Sequence, residues 1–220
     1  MKTYSHTITN PRDHFNKDRF SINNEWFVVC DGVSSAGEKG AQAAQIAIDF
    51  VNNTKLSALK TKADLKEFLA AISREIGEIE GATTFTSVFF KNQKGLLLHT
   101  GDSECYVLNK NNEFTELTIP FTVRYAQYLL GKVEKHTVKT GYLSNHLAEC
   151  LNGEEINPQI LTFDLSEIKA ILLCSDGANN VPETEMKSII LTSKNPAKAL
   201  AERAEELGSR DDITCLVIVL

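Results

Sequence analysis

The sequence predicts an α+β protein in four layers, an α-β-β-α sandwich whose two mostly antiparallel sheets are flanked by helices. Three observations predict it. First, several candidate strands are apolar without alternation, as strands buried on both faces are. Trp26 to Cys30 reads WFVVC, Ala170 to Cys174 reads AILLC, and Ile213 to Leu220 reads ITCLVIVL. Second, the candidate strands at 84–90, 96–99 and 105–108 follow one another too closely for parallel crossovers, which need about a dozen residues. At least part of the sheet structure is therefore antiparallel. Third, the helical stretches each carry one apolar stripe. Antiparallel strands that are apolar on both faces need cover on both, and two packed sheets with helices outside each supply it.

Each element has its own signal. After the strand at 26–30, residues 38–54 place Gly40, Ala44, Ala47 and Val51 on one helical face. These are mostly small residues, suited to close packing on a sheet. Residues 64–80 align Leu65, Phe68, Leu69, Ile72, Ile76 and Ile79 at spacings of three and four. Thr61 stands where a helix cap belongs, with Asp64 completing a weaker version of the capping box. The three close strands follow, then a mixed stretch from about 111 to 142, then the strand at 170–174. Residues 182–192 open with Pro182 and turn Met186, Ile189 and Ile190 inward. Asn195 is an N-cap followed by Pro196 at the first helical position, and Gly208 ends that helix. No repeat, low-complexity tract or linker-like stretch interrupts the chain, so residues 1–220 read as one domain.

Composition excludes several classes. Against 29 acidic residues stand 23 basic ones, a net charge of −6. That argues against a nucleic-acid binder, which shows a basic stripe or excess, and against polybasic membrane anchoring. No apolar run approaches the roughly 20 residues that span a bilayer. The opening MKTYSHTITNPRDHF has no apolar core of a secretory signal. The five cysteines, Cys30, Cys105, Cys150, Cys174 and Cys215, are odd in number and form no C-x-x-C pair. Neither a disulfide framework nor a zinc site is expected of them. Reduced cysteines packed as small hydrophobes, in the cytoplasm, are the expectation.

The acids carry the functional signal. Asp31 follows the WFVVC strand in Asp31-Gly32. Asp176 follows the AILLC strand in Ser175-Asp176-Gly177, and Asp211-Asp212 precedes the ITCLVIVL strand. Asp102 lies between two strands in Gly101-Asp102-Ser103, and Asp18 sits in Asn16-Lys17-Asp18 before the first strand. A single Asp-Gly is ordinarily a turn. Several acids converging on one edge repel each other unless something neutralises them. Oxygen ligands without His or Cys point to magnesium or manganese. One glycine-rich near miss drops out: Gly32 to Lys39 has the spacing of a phosphate-binding loop, but Glu38 occupies the lysine position and would repel phosphate.

Asp31-Gly32, Gly81-Ala82-Thr83-Thr84, Gly101-Asp102-Ser103, Ser175-Asp176-Gly177 and Asp211-Asp212-Ile213-Thr214 form an ordered set that resembles the PP2C-type metal-dependent protein phosphatases. Asn16-Lys17-Asp18 resembles the family's Asn-Glu-Asp element, and Leu147 to Gly153 the segment before its penultimate motif. The resemblance implies the four-layer fold and hydrolysis of phosphoserine and phosphothreonine in proteins by a water activated between two Mn2+ or Mg2+ ions. It implies that Asp31 bridges two metals, that Gly32 contributes its carbonyl, and that Asp176 and Asp211 complete the second site. Asp102 with Asp176 would hold a weaker third ion, and Asp18 would order nearby water. Arg12 is the candidate phosphate-binding arginine. The stretch from about 111 to 142, with Phe121, Tyr125 and Tyr128, corresponds to the family's flap. The expected partner is a phosphorylated protein opposite a Ser/Thr kinase, acted on by a monomer, with no nucleic acid and no membrane.

Departures from the pattern keep an alternative open, a pseudophosphatase that binds phosphoproteins without turnover. Asp31-Gly32 is followed by Val33-Ser34-Ser35 rather than by further glycines. Lys17 stands where Glu or Gln is usual, and a lysine cannot bind a cation. Arg12 is one residue farther from Asp18 than the family spacing. Glu104 replaces a common Arg and is expected to face solvent. His14 and His146 are candidates for donating a proton to the leaving oxygen, though surface or core roles are more ordinary for histidine.

Overall fold

A computed structural model describes residues 1–12, 14–23, 25–140 and 143–220. The last two residues of the stretch read as a flap, 141 and 142, lie outside the described residues. The strands are β1 (Lys2–Ile8), β2 (Arg19–Asn23), β3 (Trp26–Cys30), β4 (Phe85–Lys91), β5 (Lys94–Thr100), β6 (Glu104–Asn109), β7 (Phe114–Glu116), β8 (Gln159–Asp164), β9 (Ile168–Cys174) and β10 (Ile213–Val219). The helices are α1 (Glu38–Asn53), α2 (Lys62–Glu78), α3 (Val123–Leu129), α4 (Glu183–Thr192) and α5 (Pro196–Glu206).

Among the described residues the strands form two five-stranded sheets, ordered β1-β10-β9-β6-β7 and β2-β3-β4-β5-β8. Their pairings are antiparallel. Alternation along each central strand sorts its side chains into different layers. Trp26, Val28 and Cys30 of β3 face α1 and α2, where Ala44, Ala47, Leu69 and Ile72 await them. Phe27 and Val29 point the other way, against Leu216 and Ile218 of β10 between the sheets. Cys215 and Val217 of β10 turn outward onto Ala197, Leu200 and Ala204 of α5. These three apolar layers make the four-layer arrangement.

Local chemistry fixes the helix ends. Thr61 Oγ1 accepts from the Asp64 N–H at 3.2 Å, and Asp64 Oδ2 accepts from the Thr61 N–H at 2.8 Å. The weak capping box is thus reciprocal, and α2 begins at Lys62. Asn195 accepts from the Lys198 N–H at 3.2 Å with Pro196 opening α5. Gly208 takes φ +82° just past the helix, a conformation that favours glycine.

The sequence reading contains neither β1, β2, β7 nor β8. These four are the edges of the two sheets. An edge strand is only partly covered, and β1 (KTYSHTI) accordingly mixes polar residues with few large apolar ones. β7 also takes residues 114–116 out of the presumed flap and into the sheet.

The topology brings the acids to one end. Cys174 of β9 pairs with Cys215 of β10, which sets Asp176 beside Asp211 and Asp212. The turn Gly101 to Ser103 carries the chain from β5 in one sheet to β6 in the other, with Glu104 paired to Cys174.

Ile72 is fully buried between α2 and the sheet. Ile72→Ala should cost about 2–5 kcal/mol in urea unfolding, whereas exposed Leu129→Ala should stay within about 0.5 kcal/mol.

Candidate metal centre

Asp31 leaves β3 and is fixed by the Gly81 to Thr84 segment. Its N–H donates to Thr84 Oγ1 at 2.9 Å, and its carbonyl accepts from the Thr83 hydroxyl at 2.8 Å and the Thr84 N–H at 2.9 Å. The Thr84 hydroxyl meets that of Ser103 at 2.7 Å, which ties this segment to the Asp102 turn. Gly32 is buried, and a Cβ there would fall 2.5 Å from the Gly40 carbonyl and 2.8 Å from that of Lys17. Only glycine lets β3, the start of α1 and the Asn16 to Asp18 segment come this close.

A second hydroxyl joins three motifs. Ser175 Oγ donates to Asp18 Oδ2 at 2.7 Å and accepts from the Thr214 N–H at 2.9 Å. The Asp18 N–H donates to Asn16 Oδ1 at 2.8 Å. Asp212 takes the Asn10 N–H on Oδ1 at 2.8 Å and the Lys17 N–H on Oδ2 at 2.7 Å. The N-terminal segment is thereby held against the start of β10.

Asp31, Asp102, Asp176 and Asp211 line one cleft of about 490 Å³, together with Asn145, His146, Leu147 and Cys150. Asp18 and Gly32 lie behind that surface, buried. Burial, and then neighbouring negative charge, pushes the protonation of these acids upward. Burial, then the charges of Asp18 and Asp176, raise Asp31 well above the carboxylate range. Burial, then Asp102 and Asp211, do the same to Asp176. Burial raises Asp18 and Asp102 to about 7 each.

This donor set fits divalent ions. Asp18 Oδ1 and Asp176 Oδ1 are buried without a hydrogen-bond partner. An orphaned carboxylate oxygen among like charges is costly, and a hard cation satisfies it. Among the described residues no three His, Cys, Asp or Glu side chains close on one point as a finished cage. Asp31, Asp102, Asp176 and Asp211 instead line the cleft together.

Other candidates lie elsewhere. Arg12 is exposed and outside the cleft lining, and its N–H caps Asn10 Oδ1 at 3.1 Å. His14 is exposed, while His146 stands at the cleft wall. His99 is a core histidine. Its Nε2 reaches the Ile119 carbonyl at 3.0 Å, its Nδ1 pairs with Thr86 Oγ1 at 2.8 Å, and burial lowers its pKa to about 4. Phe121 packs on that ring at 5.5 Å, and Tyr125 packs on Tyr128 at 5.8 Å. None of these three aromatics lines the cleft.

Glu104 does not face solvent: it is 3% exposed. Lys139 Nζ reaches Glu104 Oε1 and Glu116 Oε2, each at 2.7 Å, and the Tyr106 hydroxyl donates to Glu104 Oε2 at 2.7 Å. A partner 35 residues away in sequence supplies the charge that makes this burial tolerable. The sequence reading includes Thr84, Ser103 and Ser175 in its motifs but gives their hydroxyls no role. Their signal was present, since each hydroxyl stands inside or beside an acid motif.

The family model for protein phosphatase 2C matches residues 9–210. The serine/threonine protein phosphatase PstP of Mycobacterium tuberculosis is 24% identical over 216 residues, covering 92% of this chain and 41% of that protein. The chain therefore spans about two fifths of the length of the relative it matches. The crystal structure of PstP from the same organism superposes with a TM-score of 0.85 at 21% identity, covering 100% of this chain and 98% of that one. The structure of its catalytic domain in complex with two manganese ions gives 0.83 at 21% identity, covering 98% and 96%. Stp1 from Staphylococcus aureus gives 0.88 at 18% identity, covering 100% and 94%.

The raised carboxylates make the metal-free protein unusual in its response to pH. Asp18 and Asp102 keep their protons in the folded state up to about 7, whereas the unfolded chain releases them near 3.8. Between those values the folded state binds more protons, so stability is greatest below the lower value and falls as pH rises through the higher one. With chelator present, the calorimetric Tm should drop by several degrees from about pH 5.5 to about pH 8, and Mn2+ should reverse the drop. A chelated protein whose Tm holds or rises over that range contradicts this electrostatic picture.

Proposed function

Because the chain belongs to the protein phosphatase 2C family, we propose that it removes phosphate from phosphoserine and phosphothreonine in proteins, using two Mn2+ or Mg2+ ions. The observation that carries the reading is the cleft itself: four half-buried aspartates lining it, two orphaned carboxylate oxygens among the acids, and, among the described residues, no thiol arranged as a nucleophile there. Cys150 also lines the cleft, but burial pushes its thiol up to about 12, so it stays protonated.

In this reading Asp31, Asp176 and Asp211 hold the ions with the Gly32 carbonyl, Asp102 contributes to a further, weaker position, and Asp18 orients water. The bound ions supply Lewis-acid polarisation of the phosphoryl group and a nucleophile at neutral pH. The chain's own part is placement. The Thr83 and Thr84 bonds hold the Asp31 backbone, and the Ser175 hydroxyl holds Asp18 against rotation. His146 also lines the cleft, where it would be available to the leaving oxygen. Arg12 stands exposed in the N-terminal segment, outside the cleft lining, and is given no part in this reading.

Several finer points belong to the same proposal. A phosphoprotein substrate implies a Ser/Thr kinase that makes it. Free, buried cysteines are in keeping with a reducing compartment. Among the described residues no helix is long and apolar enough to cross a membrane. Residues 1–220 act as one domain, a reading supported by the pairing of β1 with β10 across the whole chain.

The test is hydrolysis of p-nitrophenyl phosphate and of a phosphothreonine peptide with and without Mn2+. Turnover should require the metal and fall at least about 10³-fold in Asp31→Ala and in Asp176→Ala. Turnover in the presence of chelator, or phosphopeptide binding without turnover at any metal concentration, would sink the catalytic reading.

A further inference from the structure

A lysine is buried beside Asp212, next in sequence to the acids of this centre. Lys17 is 5% exposed, lies between Asn16 and Asp18, and places Nζ 3.8 Å from Asp212 Oδ2. Its ammonium also stands 5.7 Å from the centre of the Phe15 ring. Asp212 is 2% exposed and is not part of the cleft lining. Both of its carboxylate oxygens accept backbone N–H groups, from Asn10 and from Lys17. Asp212 is therefore engaged as a structural acceptor, while Asp211 beside it faces the cleft.

The centre thus gathers six aspartates, Asp18, Asp31, Asp102, Asp176, Asp211 and Asp212. The last adds negative charge without adding an open ligand. A cation and an anion buried side by side offset each other's desolvation and cancel at a distance. A neighbouring centre feels the pair as nearly neutral, but it would feel either partner alone as a full charge in a poorly screened region.

We propose that Lys17 is a built-in counter-cation, which cancels the charge of Asp212 and so sets how tightly the cleft acids bind divalent ions. Lys17 is a positioning and tuning residue and does not touch the substrate. This inference rests on the metal-dependent reading above. It makes a prediction opposite to that of a simple structural role. Removing the lysine leaves Asp212 uncompensated, so the centre becomes more negative and binds metal more tightly, even as the metal-free fold loses stability.

The test is Mn2+ titration by calorimetry on the whole chain, alongside thermal melts with chelator. Lys17→Gln should lower the Mn2+ Kd by about three- to tenfold while lowering the metal-free Tm. Asp212→Asn should raise the Kd by a similar factor, and the double variant should return to within about twofold of wild type. Lys17→Arg should keep the wild-type Kd. Should Lys17→Gln fail to fold, the same change is read in the Asp212→Asn background, where the Asp212 charge is already gone, and the Kd should tighten relative to Asp212→Asn alone. A Kd in Lys17→Gln that equals or exceeds that of a metal-binding wild type overturns the inference. Wild-type protein that binds no Mn2+ overturns the metal reading and this inference with it.

Discussion

Mutual repulsion among carboxylates is the constraint around which this molecule is arranged. Burial first, and then neighbouring negative charge, raises the protonation of Asp18, Asp31, Asp102 and Asp176 at the shared end of the two sheets, with Asp211 acting on all four. Nothing in a hydrophobic sandwich would gather acids there unaided. Backbone geometry does so: strand ends, a turn between sheets and an N-terminal segment each carry one acid to the same place. The rigidity of three apolar layers supplies the force that holds like charges together.

Neutral hydroxyls do much of the local work. Thr83 and Thr84 hold the Asp31 main chain, Ser103 extends that contact to the neighbouring turn, and Ser175 links Asp18 to β10. A hydroxyl can donate to a carboxylate and accept from a backbone N–H without adding charge, which suits it to this crowded edge. Where charge is added, it comes paired. Glu104 is matched by Lys139 and Asp212 by Lys17. In both pairs the acid is almost wholly buried.

The layered fold was legible because its central strands are apolar on both faces, a pattern that leaves little choice of packing. The four edge strands were not, because a half-covered strand such as KTYSHTI has no reason to be densely apolar. The acids at the cleft were readable as motifs, each attached to a strand that could be recognised. What escaped was pairing at a distance. Glu104 looks like a surface residue until Lys139 is folded against it, and Lys17 looks like a lost metal contact until Asp212 lies beside it. Sequence spacing carries no trace of partners 35 or 195 residues apart. Arg12 fits its motif in order but stands on the surface, because spacing alone does not say which way a loop turns.

The antiparallel pairing of Lys2–Ile8 with Ile213–Val219 bears on how the protein is made. Asn10 and Lys17 depend for their hydrogen bonds on Asp212, and Asp18 depends on Ser175. During synthesis the first two dozen residues leave the ribosome early, yet they find these partners only after residues 175–219 have followed. β3, α1, α2, β4 and β5 can associate while translation continues, because their contacts are close in sequence. The acidic centre cannot. Its contacts require residues 175–219, so a nascent chain that has not reached them carries its early acids without the arrangement that makes them a centre.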